Sequence, residues 1–367
     1  MKKLIFLFLL LLVLLGGSSV YVIEGIEAYS RFQRTHMALQ RYCGDQASVH
    51  ICVRAPSAIF SAFYPFYVAT QYPLFILDYS SSHPMTLVFN ISINNGFSQP
   101  FSHDESATQT TQSISIVPPM NRHALDNLTA EEHTSLHVMV TDLNNKKYYD
   151  NDIALTLYPR WLMQWTRENL PQIAAWVTPN DNAVVSLVER APRYLKDQQS
   201  PPVGLIGYQQ ATRQQVVAQV DAIYEALRQY SIKYIQETVP YDGTDSGALE
   251  KILLPAEVLR QHRGMCIELT TLLASAVESI GLEAEIVLIP GHAFLGVSVT
   301  PKITGTGTTQ FEYWDVVDVS NKIAADSANV RGDQLYRQNE QQQTIVATVL
   351  ISDANSSGVE PMINSLP

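Results

Sequence analysis

The sequence predicts an α+β protein in which an all-β domain precedes a domain that mixes helices and strands. Three observations carry this. Short alternating apolar stretches separated by turn residues recur between residues 53 and 160. An apolar stripe at helical spacing runs through Val217, Val220, Ile223, Tyr224 and Leu227. A second helix-period row, Cys266, Leu269, Leu273, Ala276 and Ile280, is followed at once by β-rich segments. A chain of 367 residues with 46% hydrophobic content is long enough to bury two cores. Its net charge of −11 argues against a nucleic-acid partner.

Residues 1–23 read as a targeting or anchoring segment. Lys2 and Lys3 precede an unbroken apolar run from Leu4 to Leu15. Gly16-Gly17-Ser18-Ser19 interrupts it and Val20-Tyr21-Val22-Ile23 resumes it. A cleaved signal peptide fits the short run and the small residues behind it. An uncleaved anchor fits the whole span, which at about 1.5 Å per residue crosses a hydrocarbon core of about 30 Å. The missing Ala-x-Ala site and the return of apolar residues favour the anchor. Either reading puts the body outside the cytoplasm, with the lysines on the inner side, and the anchor makes the membrane a partner through this segment. Residues 24–52 read as a polar juxtamembrane stalk with a disulfide loop. Cys43 and Cys52 lie close together and are expected to pair in an oxidising compartment, which leaves Cys266 as the odd thiol.

Over 53–160, Phe75-Ile76-Leu77, Leu87 to Ile93, Ser113 to Val117, Ser135 to Val140 and Tyr148 to Leu157 read as strands. Asn94-Asn95-Gly96, Pro118-Pro119 and Asn144-Asn145 punctuate them. Several short strands with turn signals between them predict an Ig-like β-sandwich. His103, His123, His133 and His137 lack metal-site spacing and read as ordinary surface or strand residues. Residues 161–204 read as a helical connector whose Trp161, Trp165 and Trp176 pack between domains. In it Thr178-Pro179-Asn180-Asp181 caps a helix through Val184 and Leu187. Residues 205–352 form the mixed domain, with a helix near 216–230, an acidic loop at 241–247, and strands at 283–289, 293–299, 311–319 and 344–351. A turn at 304–309 separates two of these strands, and residues 353–367 read as a polar tail.

The chemistry sits in the mixed domain. Cys266 follows Gly264-Met265 at the start of a helix, where unpaired N–H groups and the macrodipole favour thiolate over thiol. His292 follows the Pro290-Gly291 turn, and Asp315 and Asp318 come next. An imidazole can take the thiol proton, a carboxylate can hold that imidazole, and N–H groups at the helix start can stabilise an oxyanion. If 311–319 is one strand, Asp315 and Asp318 point to opposite faces and only one can meet His292.

Gly264-Met265-Cys266 through Gly281-Leu282, with Leu288-Ile289-Pro290-Gly291-His292-Ala293-Phe294 and the lead-in Leu254 to Leu259, resembles the core of the bacterial transglutaminase-like superfamily. The likeness covers roughly residues 205–325. It implies a papain-like thiol fold and a triad of Cys266, His292 and Asp318, the last because Val317-Asp318-Val319-Ser320 resembles that family's acid-bearing strand. Met265 stands where the family usually has Asp or Asn, and Glu268 where Asp is common; both lie beside the nucleophile and bear on substrate class. The activity so implied is acyl transfer on a protein or peptide substrate, by hydrolysis or crosslinking, with no cofactor. A non-catalytic binding module on the same fold is the alternative. A zinc site on Cys266, His292 and an acid finds no CxxC or HxxxH spacing to support it.

Overall fold

The computed structural model describes residues 39–195, 204–209, 211–236, 247–300 and 310–362, and the chain is α+β. The apolar N-terminal segment, most of the acidic loop and the 304–309 turn lie outside these residues. Among the described residues no helix is long and apolar enough to cross a membrane.

The first half is two sheets. One has the order β1 (Gln40–Gln46), β2 (Val49–Ala55), β4 (Phe75–Ser81), β7 (Gln112–Ile116). The other has the order β3 (Ala58–Phe60), β9 (Lys147–Tyr158), β8 (Glu132–Asp142), β5 (Met85–Ile93), β6 (Phe101–Ala107). Short helices α1 (Tyr64–Ala69) and α2 (Arg122–Asp126) lie in the connections. Period-2 patterning puts Val49, Ile51 and Val53 of β2, Leu87, Phe89 and Ile91 of β5, and Leu136, Val138 and Val140 of β8 in the core. The sheets meet face to face, with the Tyr79 ring edge-on to Phe89 at 5.1 Å between centroids.

The disulfide expected between Cys43 and Cys52 is present, and Cys266 is a free, buried cysteine. The loop it was expected to close is not part of a stalk. Residues 40–55 are the hairpin of β1 and β2, with Cys43 directly opposite Cys52 in the ladder. The sheet therefore starts before residue 53. Polar side chains on the outer face of an edge hairpin hid its alternation.

The second half begins sooner than expected. Residues 161–176 are not a helix but β10 (Leu162–Trp165) followed by a 3₁₀ segment, Leu170–Trp176. Trp165 and Trp176 are fully buried, donating from Nε1 to Glu250 Oε2 (2.5 Å) and to the Ile252 carbonyl (3.1 Å). They belong to the main hydrophobic core, which runs through both halves, rather than to a connector. Next come α3 (Asn182–Val188), which Asp181 caps by accepting from the Ala183 N–H at 2.8 Å, and α4 (Arg213–Arg228), which opens on a Thr212–Gln215 capping box. Then follow β11 (Lys233–Tyr234), β12 (Ala248–Lys251), which pairs with β10, α5 (Pro255–Gln261) and β13 (Arg263–Gly264). Helix α6 (Cys266–Glu278) is buried on almost every side, between helices α3–α5 and a sheet. That sheet has the order β16 (Phe311–Trp314), β15 (His292–Ser298), β14 (Ala284–Ile289), β17 (Ala347–Leu350).

Three corrections concern the end of the chain. Strand β16 stops at Trp314, and Val316–Val319 is a 3₁₀ turn. Between β16 and β17 lies an unexpected helix, α7 (Ala325–Gln342), whose mostly polar sequence buries Ala325, Ala328 and Gly332. Gly332 lets it approach: a Cβ there would come within 2.5 Å of the Tyr313 carbonyl carbon and oxygen. The tail is not free, since α8 (Ile351–Ser356) and Val359 pack on the core and the Met362 N–H donates to the Ala175 carbonyl at 2.8 Å.

Glu285 on β14 is buried where Gly296 opposite leaves room for it beside Tyr313. Burial first, opposed by a hydrogen bond from Tyr313 and reinforced by Glu283, raises its carboxyl to about 7. The folded state therefore holds a proton that the unfolded chain loses near the ordinary value of 4.5. This contribution is complete below that value and is lost as pH rises to about 7. Thermal melts at pH 4.5 and 7.5 should show Glu285→Gln with a smaller stability loss than wild type across that interval; an equal or larger loss contradicts the assignment.

Candidate active site

Cys266 is the first residue of α6 and is 1% exposed. Glu268, also buried, fixes this helix start. Its Oε2 accepts from the Met265 N–H at 2.8 Å and its Oε1 from the Leu253 N–H at 2.7 Å. Glu268 thus caps the helix that carries Cys266. Thr270, one turn on, donates to the Cys266 carbonyl at 2.8 Å and lies 3.2 Å from the Ala293 carbonyl, tying α6 to the strand that carries His292.

His292 enters β15 from a tight hairpin in which it pairs with Ile289 and Gly291 takes φ +72°, a conformation open to glycine. Its Nε2 lies 3.1 Å from Asp315 Oδ1. Its side chain remains 22% exposed, so the ring spans from the buried acid to the site's open edge. The Cys266 thiol lies near enough to act on the imidazole's proton affinity. Burial is the largest single influence on His292 and pulls its proton affinity down. Hydrogen bonds and charge from Asp315 and Cys266 together outweigh it and raise the imidazolium from its ordinary 6.5 to about 9.

Asp315, not Asp318, is the partner of His292. The expectation of Asp318 rested on the resemblance of Val317-Asp318-Val319-Ser320 to the transglutaminase-like superfamily's acid-bearing strand, but β16 ends at Trp314 and the chain turns into the 3₁₀ segment. Asp315 then sits at the bend, facing the ring. Asp318 lies in that turn, 2% exposed, and binds Arg331 instead. Arg331 holds both acids, with Nε 3.1 Å from Asp315 Oδ2 and Nη1 3.2 Å from Asp318 Oδ1. Burial and then the charge of Asp315 raise the Asp318 carboxyl, with Arg331 and His292 opposing. The guanidinium therefore separates two buried carboxylates that would otherwise repel. Imidazole, carboxylate and guanidinium thus form a connected series, each paired with the next.

Two further residues had no sequence signal. Tyr234 is brought alongside by the parallel pairing of β11 with β13 (Tyr234 opposite Gly264), which sets its phenol near the Cys266 thiol. Burial, then Cys266 and Asp315, push that phenol up to about 12, so it stays a donor at neutral pH. Arg331 sits on a helix whose polar sequence gave no apolar period. Its neighbour Gly332, isolated in a polar run, was the only available mark of a close approach.

Comparison with known proteins gives no match to a family model, to a curated protein or to a solved structure.

An NMR titration of the His292 imidazole should show a midpoint near 9 in wild type. Asp315→Asn should move it down by more than Asp318→Asn does. A midpoint near the ordinary histidine value, or a larger effect from Asp318→Asn, contradicts the pairing.

Proposed function

We propose that the protein is a cysteine-dependent acyl-transfer enzyme acting on peptide or carboxamide groups outside the cytoplasm. The observation that carries this is the run of Cys266, His292 and Asp315 at the buried start of a helix, with the imidazolium held to about 9 by the two flanking groups. The Cys266 and His292 segments, which resemble the transglutaminase-like superfamily with its papain-like thiol domain, support the same reading. A disulfide in the β-domain and an apolar N-terminal segment support a location beyond the membrane, attached through that segment or released from it.

The mechanism follows from the order of the groups. Asp315 occupies Nε2 of His292, which leaves Nδ1 for the thiol proton. The Cys266 sulfur attacks the substrate carbonyl, and the negative charge that develops on oxygen meets the N–H groups at the start of α6. His292 then returns the proton to the departing nitrogen, leaving a thioester on Cys266. Water or an amine attacks that thioester, His292 takes the incoming proton, and the sulfur is released. Tyr234 supplies a hydroxyl donor beside the sulfur throughout. Asp315 keeps the ring oriented, and Arg331 holds Asp315 in place.

The near-complete burial of Cys266 favours one second reading, a non-catalytic binding module on the same framework. Turnover separates the two. Glutamine-containing peptides, assayed for ammonia release with and without an added primary amine, should be consumed by wild type and not by Cys266→Ala. His292→Ala should lower kcat/KM by about 10²–10⁴-fold, and Asp318→Asn should cost less than Asp315→Asn. Peptide binding without consumption, unchanged in Cys266→Ala, would establish the binding module instead.

A further inference from the structure

A second group of cysteine, histidine and acid lies far from Cys266 in the sequence, on the outer face of the β1–β2 hairpin. The Cys43–Cys52 bridge joins directly opposed residues of the ladder. Its two sulfurs are unequal, because Cys43 lies exposed on the edge strand whereas Cys52 is fully buried. The His50 ring sits over them, with its Nε2 3.2 Å from Cys52 Sγ and all three ligand-type atoms within 4.8 Å of one another. The other ring nitrogen, Nδ1, is held by Asp45 on β1. The remaining charges on this face are Arg41, Arg54 and Asp78. Asp78, opposite Cys52 on β4, is engaged by Arg54 at 2.8 Å and Ser113 at 2.5 Å. The imidazole is therefore the proton-carrying group placed at the buried sulfur.

We propose that the Cys43–Cys52 disulfide is a thiol–disulfide exchange site for a dithiol reductant, with Cys43 as the sulfur attacked and Cys52 as the leaving group assisted by His50. This does not depend on the activity proposed for Cys266. The partner's thiolate reaches the exposed Cys43 sulfur and forms a mixed disulfide there. The Cys43–Cys52 bond breaks, its electron pair passes to Cys52, and the His50 imidazolium, steadied by Asp45, delivers its Nε2 proton to that sulfur. The partner's second thiol then gives its proton to His50 and attacks the partner's own bridging sulfur. Cys43 leaves as a thiolate and takes up a proton. The site gains two electrons and two protons, and the dithiol becomes a disulfide.

The test uses the folded full-length protein. Reduction by dithiothreitol is quenched with N-ethylmaleimide and read peptide by peptide by mass spectrometry, so that Cys266 is scored separately. His50→Gln should slow reduction about tenfold or more, and Asp45→Asn should slow it less. In wild type, brief exposure to glutathione should place the glutathione on Cys43 and the maleimide on Cys52. Equal reduction rates in wild type and His50→Gln overturn the proposal. So does glutathione found mainly on Cys52, which requires no variant to fold, and so does a bridge that is reduced only after denaturation.

Discussion

The arrangement around His292 depends on one buried carboxylate with two partners. Asp315 gives one oxygen to His292 and the other to Arg331. At 2% exposure a carboxylate needs partners, and the guanidinium supplies the second one. Hydrogen bonds and charge from Asp315 and Cys266 together let the imidazolium survive burial. Removing one member of such a chain leaves the next unpaired in a poorly solvated place, so the relay should fail as a unit rather than by equal shares.

Much of the fold serves to bring these groups together. Glu268 fixes the start of α6 and so places Cys266. The Ile289–His292 hairpin sets the ring at the head of β15, and Thr270 bridges helix and strand. Gly332 brings the backbone of α7 against β16, close enough for Arg331 to reach both acids. None of these supporting residues meets a substrate in the mechanism, yet each fixes the position of one that does.

The mixed α+β class, the helix starting at Cys266, the hairpin carrying His292 and the pairing of Cys43 with Cys52 were legible because each has a local signal: helical period, a Pro-Gly turn, or cysteine parity. The rest was set by tertiary context. Asp315 and Asp318 could not be separated by strand parity once the strand ended at Trp314. Polar α7 showed no apolar stripe because it buries only small residues, so Arg331 was invisible. The tryptophans of 161–176 suggested an interdomain helix, whereas the indole N–H groups of Trp165 and Trp176 find partners in β12 and just beyond it, in a segment that forms a strand and a 3₁₀ turn. The β1–β2 hairpin was hidden because its outer face carries Cys, His, Asp and Arg where a half-buried strand would show simple alternation.

The central claim is that Cys266 and His292 share a proton. The pH dependence of Cys266 alkylation by iodoacetamide, followed by mass spectrometry in wild type and His292→Ala, tests it most directly, because a profile's midpoint does not depend on how readily the reagent reaches a covered thiol. A shared proton predicts that the pH profile of alkylation shifts in His292→Ala relative to wild type. A profile unchanged in the variant would make Cys266 a buried structural thiol and contradict the account.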